Sequence, residues 1–231
     1  MRMAPLSLPR WLPASLLPLL AACGPTDPSD ALAELLEPQQ GLITFYEEAD
    51  GSGNCSFDPG PDRDIAAMNI GQYLDSAICG ACAQVTGPKG SLVVRIVDSC
   101  PDCPDAGHLD LSPEAFAKLA NREEGRVKVT WQLVPCPTQG VVRYHYKDGS
   151  NPYWTAIQVR NHRQPVTKLE YWKDGAWVNV PRESYNYFVN PQGMGTSPFK
   201  VRVTASDGQT LEDSLPAVAS DQTFDGAAQF K

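Results

Sequence analysis

Apolar and polar residues alternate with a period of two along much of this chain. Val127-Lys-Val-Thr-Trp-Gln-Leu-Val134 is the clearest case, the pattern of a strand with one buried face. Leu92–Val97 is a β-branched run that follows the turn signal Gly87-Pro-Lys-Gly90. Shorter runs recur at Val141–Tyr146, Ala156–Asn161, Lys168–Trp172, Trp177–Val180 and Phe199–Thr204. Asp148-Gly149, Asp174-Gly175 and Asp207-Gly208 punctuate them, and this spacing predicts a β-sandwich. One helix is marked. Ser112 caps it, Pro113 takes its first position, Glu114 complements its dipole and Asn121 ends it. Phe116, Leu119 and Ala120 form its inner face.

A different apolar run, Trp11–Ala22, follows Arg2 and Arg10 and is broken by prolines. It is too short to span a bilayer and has the order of a secretory signal. Leu20-Ala-Ala-Cys23 also has the form of a bacterial lipobox, which predicts a lipid on Cys23; ordinary cleavage nearby would leave Cys23 incidental. Export places the other six cysteines, 55, 79, 82, 100, 103 and 136, in an oxidising compartment, where an even count predicts three disulfides. The spacing C-x2-C-x17-C-x2-C from Cys79 to Cys103 invites a zinc ribbon, but zinc would strand Cys55 and Cys136. No metal and no cofactor are therefore expected. A redox role for Cys100-Pro-Asp-Cys103 is weakened by Pro104 and Gly107, which follow where a helix would have to start.

The layout expected is a leader over 1–22, an acidic tether over 23–40, a first domain over 41–137, a linker over 138–140 and a second domain over 141–231. Ala31–Leu36 has room for one or two helical turns. Residues 41–140 carry 7 basic and 14 acidic side chains, and 141–231 carry 10 and 9. A net negative chain repels nucleic acid and polyanionic wall polymers and suits a neutral one.

Asp98, at the exit of the strand Val93–Val97, and Asp110, twelve residues on, are a candidate acid–base pair for a glycosidic bond; capping a turn is the other reading. Thr44 offers a hydroxyl to the same place or to the backbone of its own strand. In the second domain Tyr153, Trp154 and Tyr185 offer flat rings for sugar C–H faces, with Lys147 at the rim. Pro152 suggests an irregular edge, on which two adjacent aromatics can face one surface. Trp177 is expected in the core.

Together these residues resemble the expansin family. Gly41-x-x-Thr44-Phe-Tyr46, Gly53-Asn-Cys55-Ser56, Cys79-Gly-Ala-Cys82, Val85-Thr-Gly-Pro-Lys-Gly90, Ile96-Val-Asp98 and Leu109-Asp-Leu-Ser112 are similar to the expansin barrel. Tyr153-Trp154, Ile157-Gln-Val-Arg-Asn-His162 and Tyr185-Asn186 are similar to its carbohydrate-binding sandwich. The resemblance implies an all-β fold, a double-psi β-barrel followed by an immunoglobulin-like β-sandwich. It implies a secreted or lipid-anchored monomer that binds cellulose and other neutral wall glucans and loosens their contacts without net hydrolysis. Thr44, Asp98 and Asp110 match the groove, Asp110 foremost; Tyr153, Trp154 and Tyr185 match the aromatic platform, and Lys147 a nearby basic contact. Resemblance to barwin-type barrels implies the pairs Cys55–Cys79, Cys82–Cys136 and Cys100–Cys103. Where some relatives carry a groove tyrosine, this chain has Cys100, so that contact is lost or supplied elsewhere. Two alternatives stand beside this reading. One is a family 45-type endoglucanase, for which Glu47 and Glu48 lie near the right place. The other is a carbohydrate-binding lipoprotein with no loosening activity.

Overall fold

The computed structural model describes residues 28–231. The leader and Cys23 lie outside them. The first unit is a closed six-stranded barrel in the order β1-β5-β2-β4-β3-β6. Its strands are β1 (Gln39–Phe45), β2 (Ile65–Asn69), β3 (Cys82–Gly87), β4 (Gly90–Cys100), β5 (His108–Leu111) and β6 (Val127–Val134). β1 with β5 and β2 with β4 run parallel; the other neighbours are antiparallel. Strict alternation in β6 buries Val127, Val129, Trp131 and Leu133 together. The helix α2 (Pro113–Leu119) packs Phe116 and Leu119 into the same core, and the Ser112 side chain accepts from Ala115 N at 3.0 Å. Ala120 rather than Asn121 ends this helix, since Asn121 instead caps a following 3-10 turn.

The segment expected as a tether departs from that reading over residues 28–38. It forms α1 (Pro28–Glu34), whose Leu32 side chain, with that of Leu35 just past its end, is buried in the barrel core. Three residues apart, the two leucines share one side of the turn. Each contributes about 1.5–3 kcal/mol by burial, and Leu133 N donates to Leu35 O at 2.8 Å.

The second unit is two four-stranded sheets, β10-β9-β12-β13 and β11-β8-β7-β14. They comprise β7 (Arg143–Tyr146), β8 (Thr155–Arg160), β9 (Val166–Lys173), β10 (Ala176–Val180), β11 (Phe188–Asn190), β12 (Phe199–Ala205), β13 (Thr210–Leu215) and β14 (Thr223–Asp225). Tyr144, Ile157, Leu169, Phe188, Val203 and Leu215 are among the residues that fill the space between the sheets. Trp177 is not part of that core. It pairs across strands with Trp172, which is 42% exposed, and Arg202 lies over its ring at 4.6 Å. Leu169 and Tyr171 of β9 face inward, so the register puts Trp172 and Trp177 on the outer face.

Three disulfides, Cys55–Cys79, Cys82–Cys136 and Cys100–Cys103, use all six cysteines of the described residues. These are the pairs the resemblance implies, and they leave no thiolate for zinc. Cys82–Cys136 closes the longest loop and therefore restricts the unfolded chain most. No helix among the described residues is long and apolar enough to cross a membrane.

The units share a polar seam. Arg182 donates to Ser76 O at 3.0 Å and to Val166 O, with its guanidinium 4.5 Å from the Phe188 ring centre. Gln158 and Asn186 both donate to Cys55 O. Gly80 is required by close approach: a Cβ there would sit 2.7 Å from His162 Nε2.

Candidate functional site

The barrel places four residues in one row across three strand pairings. Thr44 of β1 is level with Asp110 of β5, Asp110 with Ala67 of β2, and Ala67 with Asp98 of β4. The last alignment depends on a bulge. β4 has one residue more than β2 at Val97, which brings Asp98 level with Ala67. Two strand spacings put the backbones of the two aspartates roughly 10 Å apart. Ala67 lies between them, buried under Tyr46 and the Cys100–Cys103 disulfide.

Asp110 is half-buried, and burial raises its pKa; the Thr44 hydrogen bond and nearby His108 act the other way but do not cancel the shift. The Thr44 hydroxyl donates to Asp110 Oδ1 and lies 3.0 Å from His108 Nε2. His108 is two residues before Asp110 on the same strand face, completing a line His108–Thr44–Asp110. His108 Nδ1 is buried without a hydrogen-bond partner among the described residues, and burial lowers the imidazole pKa.

Asp98 is held differently. Its Oδ1 accepts from Asn54 N at 2.6 Å and Ser99 N at 2.8 Å. Gly53 lets the loop come this close, for a Cβ there would lie 2.4 Å from Asp98 Cγ. Asp98 therefore fastens the 53–55 loop to β4 as well as lining the groove.

Tyr46 sits beside both acids. It packs on Ala67 and on the Cys100–Cys103 disulfide, whose sulfurs and the Asp110 carboxylate all lie within 4.8 Å of one another. Its hydroxyl is buried without a hydrogen-bond partner among the described residues. Burial, then Asp98, Asp110 and Asp50, push its pKa up, so it stays protonated and able to donate. Where some relatives carry a groove tyrosine, this chain has the Cys100–Cys103 disulfide with Tyr46 packed against it. The signal in sequence was Thr44-Phe-Tyr46, two positions apart on one strand face. Tyr46→Phe is expected to keep the fold, since the hydroxyl has no partner among the described residues to lose, and to weaken any groove function severalfold, about 1 kcal/mol for one hydrogen bond donated to a bound sugar. Unchanged groove function with unchanged melting would remove Tyr46 from the site.

On the second unit, Tyr153 is 78% exposed at the tip of a tight turn closed by the Asn151–Trp154 bridge. Asn151 Oδ1 accepts from Tyr153 N and Trp154 N at 2.9 and 3.2 Å. Gly193 allows the turn to pack, since a Cβ there would lie 2.0 Å from Pro152 O. Trp154 and Tyr185, both half-buried, pack on Ala156, Tyr187 and Val189. Lys147 Nζ lies 5.7 Å from the centre of the buried Tyr187 ring, which backs the strip from beneath.

Asn54 joins the two places. Its backbone N–H holds Asp98, and its side-chain amide donates to Ser184 O at 3.2 Å, one residue before Tyr185. Groove and aromatic strip are thereby neighbours. Glu47 points away from the groove acids to Arg122 at 3.2 Å, and Glu48 is exposed.

This arrangement has counterparts in known proteins. Expansin-YoaJ of Bacillus subtilis is 38% identical over 189 residues, covering 80% of this chain and 81% of the relative. The chain belongs to the expansin family. The lytic transglycolase family model matches residues 39–131, the barrel of this expansin. Expansin-like protein 5 of Dictyostelium discoideum is 34% identical, covering 81% of this chain and 83% of that protein. The crystal structure of an apo expansin from Clavibacter michiganensis superposes with a TM-score of 0.78 at 30% identity, covering 84% of this chain and 98% of that one. A point mutant of the Clavibacter protein has been solved in complex with cellohexaose and superposes with the same TM-score.

Proposed function

We propose that this expansin is an exported, monomeric protein, held to its membrane by a lipid on Cys23, that binds cellulose and neutral wall glucans and loosens their contacts without net hydrolysis. The observation that carries the reading is the Asn54 link, which ties the half-buried acid groove to the loop that carries Tyr185 of the aromatic strip. Tyr153, Trp154, Tyr185 and Lys147 hold a glucan chain by stacking on its apolar faces. The groove then receives the continuing chain, where Asp110, Thr44 and Tyr46 exchange hydrogen bonds with sugar hydroxyls that had bound a neighbouring chain.

The carboxylate geometry supports loosening over hydrolysis. A glycosidase uses two acids flanking the scissile bond, one on each side. Here Asp98 is engaged by two backbone N–H groups, and Glu47 is turned to Arg122 on the surface. The likeness of the relative solved with cellohexaose supports the glucan as ligand.

The test is an extension assay on heat-inactivated plant wall, paired with a reducing-sugar assay on swollen cellulose. Extension without sugar release is expected. Sugar release at enzymatic rates makes the protein an endoglucanase, and adsorption with neither makes it a binding lipoprotein. The mass of the mature N-terminus reads the lipid, and an unmodified terminus would remove the anchor.

A further inference from the structure

The imidazole of His108 is used on one side only. The residue is 4% exposed, and its Nε2 lies 3.0 Å from the Thr44 hydroxyl. Its Nδ1 is closed to solvent with no hydrogen bond among the described residues. The backbone on either side is fixed, since His108 N donates to Asp105 O and Asn69 Nδ2 donates to His108 O, both at 3.2 Å.

The count of protons sets the direction of the line His108–Thr44–Asp110. The Thr44 hydroxyl has a single proton, and it is donated to Asp110 Oδ1. Thr44 Oγ1 then accepts from His108, so Nε2 carries the ring proton and Nδ1 is a bare lone pair. In the reverse order Asp110 donates to Thr44 and Thr44 to Nε2, which leaves a buried N–H on Nδ1 with no acceptor. Orphaned buried N–H groups are rarer than under-used acceptors. A second proton on the ring would create the same orphan. The imidazole therefore stays neutral, its pKa lowered by burial and by the Arg126 guanidinium.

At the other end of the line, Thr44 covers Asp110 Oδ1. Asp110 Oδ2 has no partner and is not closed to solvent among the described residues. We infer that His108 is a positioning residue: its Nε2–H holds the Thr44 hydroxyl on Asp110 Oδ1 and so confines the exchangeable proton of Asp110 to Oδ2, the oxygen open to a sugar hydroxyl. The groove acid thereby has one proton-bearing oxygen instead of two. Use of that proton rests on the proposed loosening role; the tautomer of His108 and the cover on Oδ1 do not. Around the line, Arg126 and Asp105 pair with each other at 2.7 Å near His108, and Lys128 lies level with it across Leu42. Tyr46 and Asp98 lie on the Asp110 side. None of these groups makes a hydrogen bond to the His108 ring or to Oδ2 among the described residues.

Nitrogen NMR spectra of the labelled full chain read the ring directly, with the His108 signals assigned by their loss in His108→Gln. The Nε2–H tautomer is expected at neutral pH; the Nδ1–H tautomer, or a charged ring there, overturns the inference. His108→Leu removes the donor. Carbon NMR titration of Asp110 in this variant is expected to show the carboxyl protonating at higher pH than in wild type, because the Thr44 bond that favours the ionised form is no longer held in place. Wall extension by the variant is expected to fall about three- to tenfold at its acid maximum, the effect of one hydrogen bond, and its loss with rising pH to come later. His108→Gln returns an N–H to the place of Nε2 and is expected to recover most of both effects. An unchanged Asp110 titration in folded His108→Leu overturns the inference. So does a His108→Gln protein that melts like wild type yet extends walls no better than His108→Leu. If wild type extends no wall, the loosening function fails, while the tautomer and the Asp110 titration still decide the role of His108.

Discussion

Replacing Asp110 with asparagine is expected to abolish wall extension while cellulose adsorption stays within about twofold of wild type, near the scatter of independent sites. Asparagine keeps the shape, and its amide oxygen can still accept from the Thr44 hydroxyl. What disappears is the ability to carry a proton between bound and free forms. The melting temperature should hold or rise slightly, because the cost of burying a carboxylate goes with it. The same residue gives wild type a pH profile. Burial raises the Asp110 pKa in the folded protein, so the protonated form persists above the ordinary aspartate range. Loosening by that form is greatest in acid and falls as pH rises through the raised pKa. Its stability contribution has the same sign, fully present below the unfolded carboxyl pKa and lost through the folded one. Extension near the wild-type rate in Asp110→Asn, or a wild-type rate that climbs with pH, would show that Asp110 is structural.

Trp154→Ala is expected to weaken adsorption to crystalline cellulose by roughly 1–3 kcal/mol, taking base–aromatic stacking as the nearest measured analogue. Tyr153→Ala and Tyr185→Ala should cost somewhat less. Binding should respond only mildly to salt, since stacking on a neutral polymer involves little charge. The competing account makes these rings part of the core. Loss of a fully buried aromatic costs about 3–5 kcal/mol, several degrees or more in melting temperature for a chain of this size. Tyr153 is too exposed for that, and Trp154 covers only a small satellite cluster. Depletion isotherms and thermal melts on the three variants decide the matter. Retained binding with a large fall in melting sinks the platform.

The local signals in this chain were readable. Alternation in β6, the Ser112-Pro113 helix start and the Asp-Gly turns depend on neighbours in sequence, and the structure follows them. What depends on register between distant segments came from the resemblance or was not found at all. Thr44 meets Asp110 across a parallel pair 66 residues apart, and no local pattern displays that. Tyr46 and His108 belong to the groove through the same pairing. Trp177 misled because two-residue alternation shows that a strand has two faces but not which one is inside. Leu32 and Leu35 were obscured by acidic and proline neighbours, which marked the segment as solvent-loving while two side chains sufficed to dock it. Asn54 could not be found at all, because its role exists only once two folded units meet.

The seam between those units has a mechanical meaning. Arg182 is half-buried there, its pKa lowered by burial to about 10, and it donates to carbonyls of both units. Moving one unit against the other would break the bonds to Ser76, Cys55 and Ser184 together, each contributing about 0.5–1.5 kcal/mol. Thermal energy at ambient temperature is below their sum. These bonds therefore oppose relative motion of the two units. If a glucan seats on the rings and reaches the groove as proposed, the polysaccharide is expected to bend before the seam does.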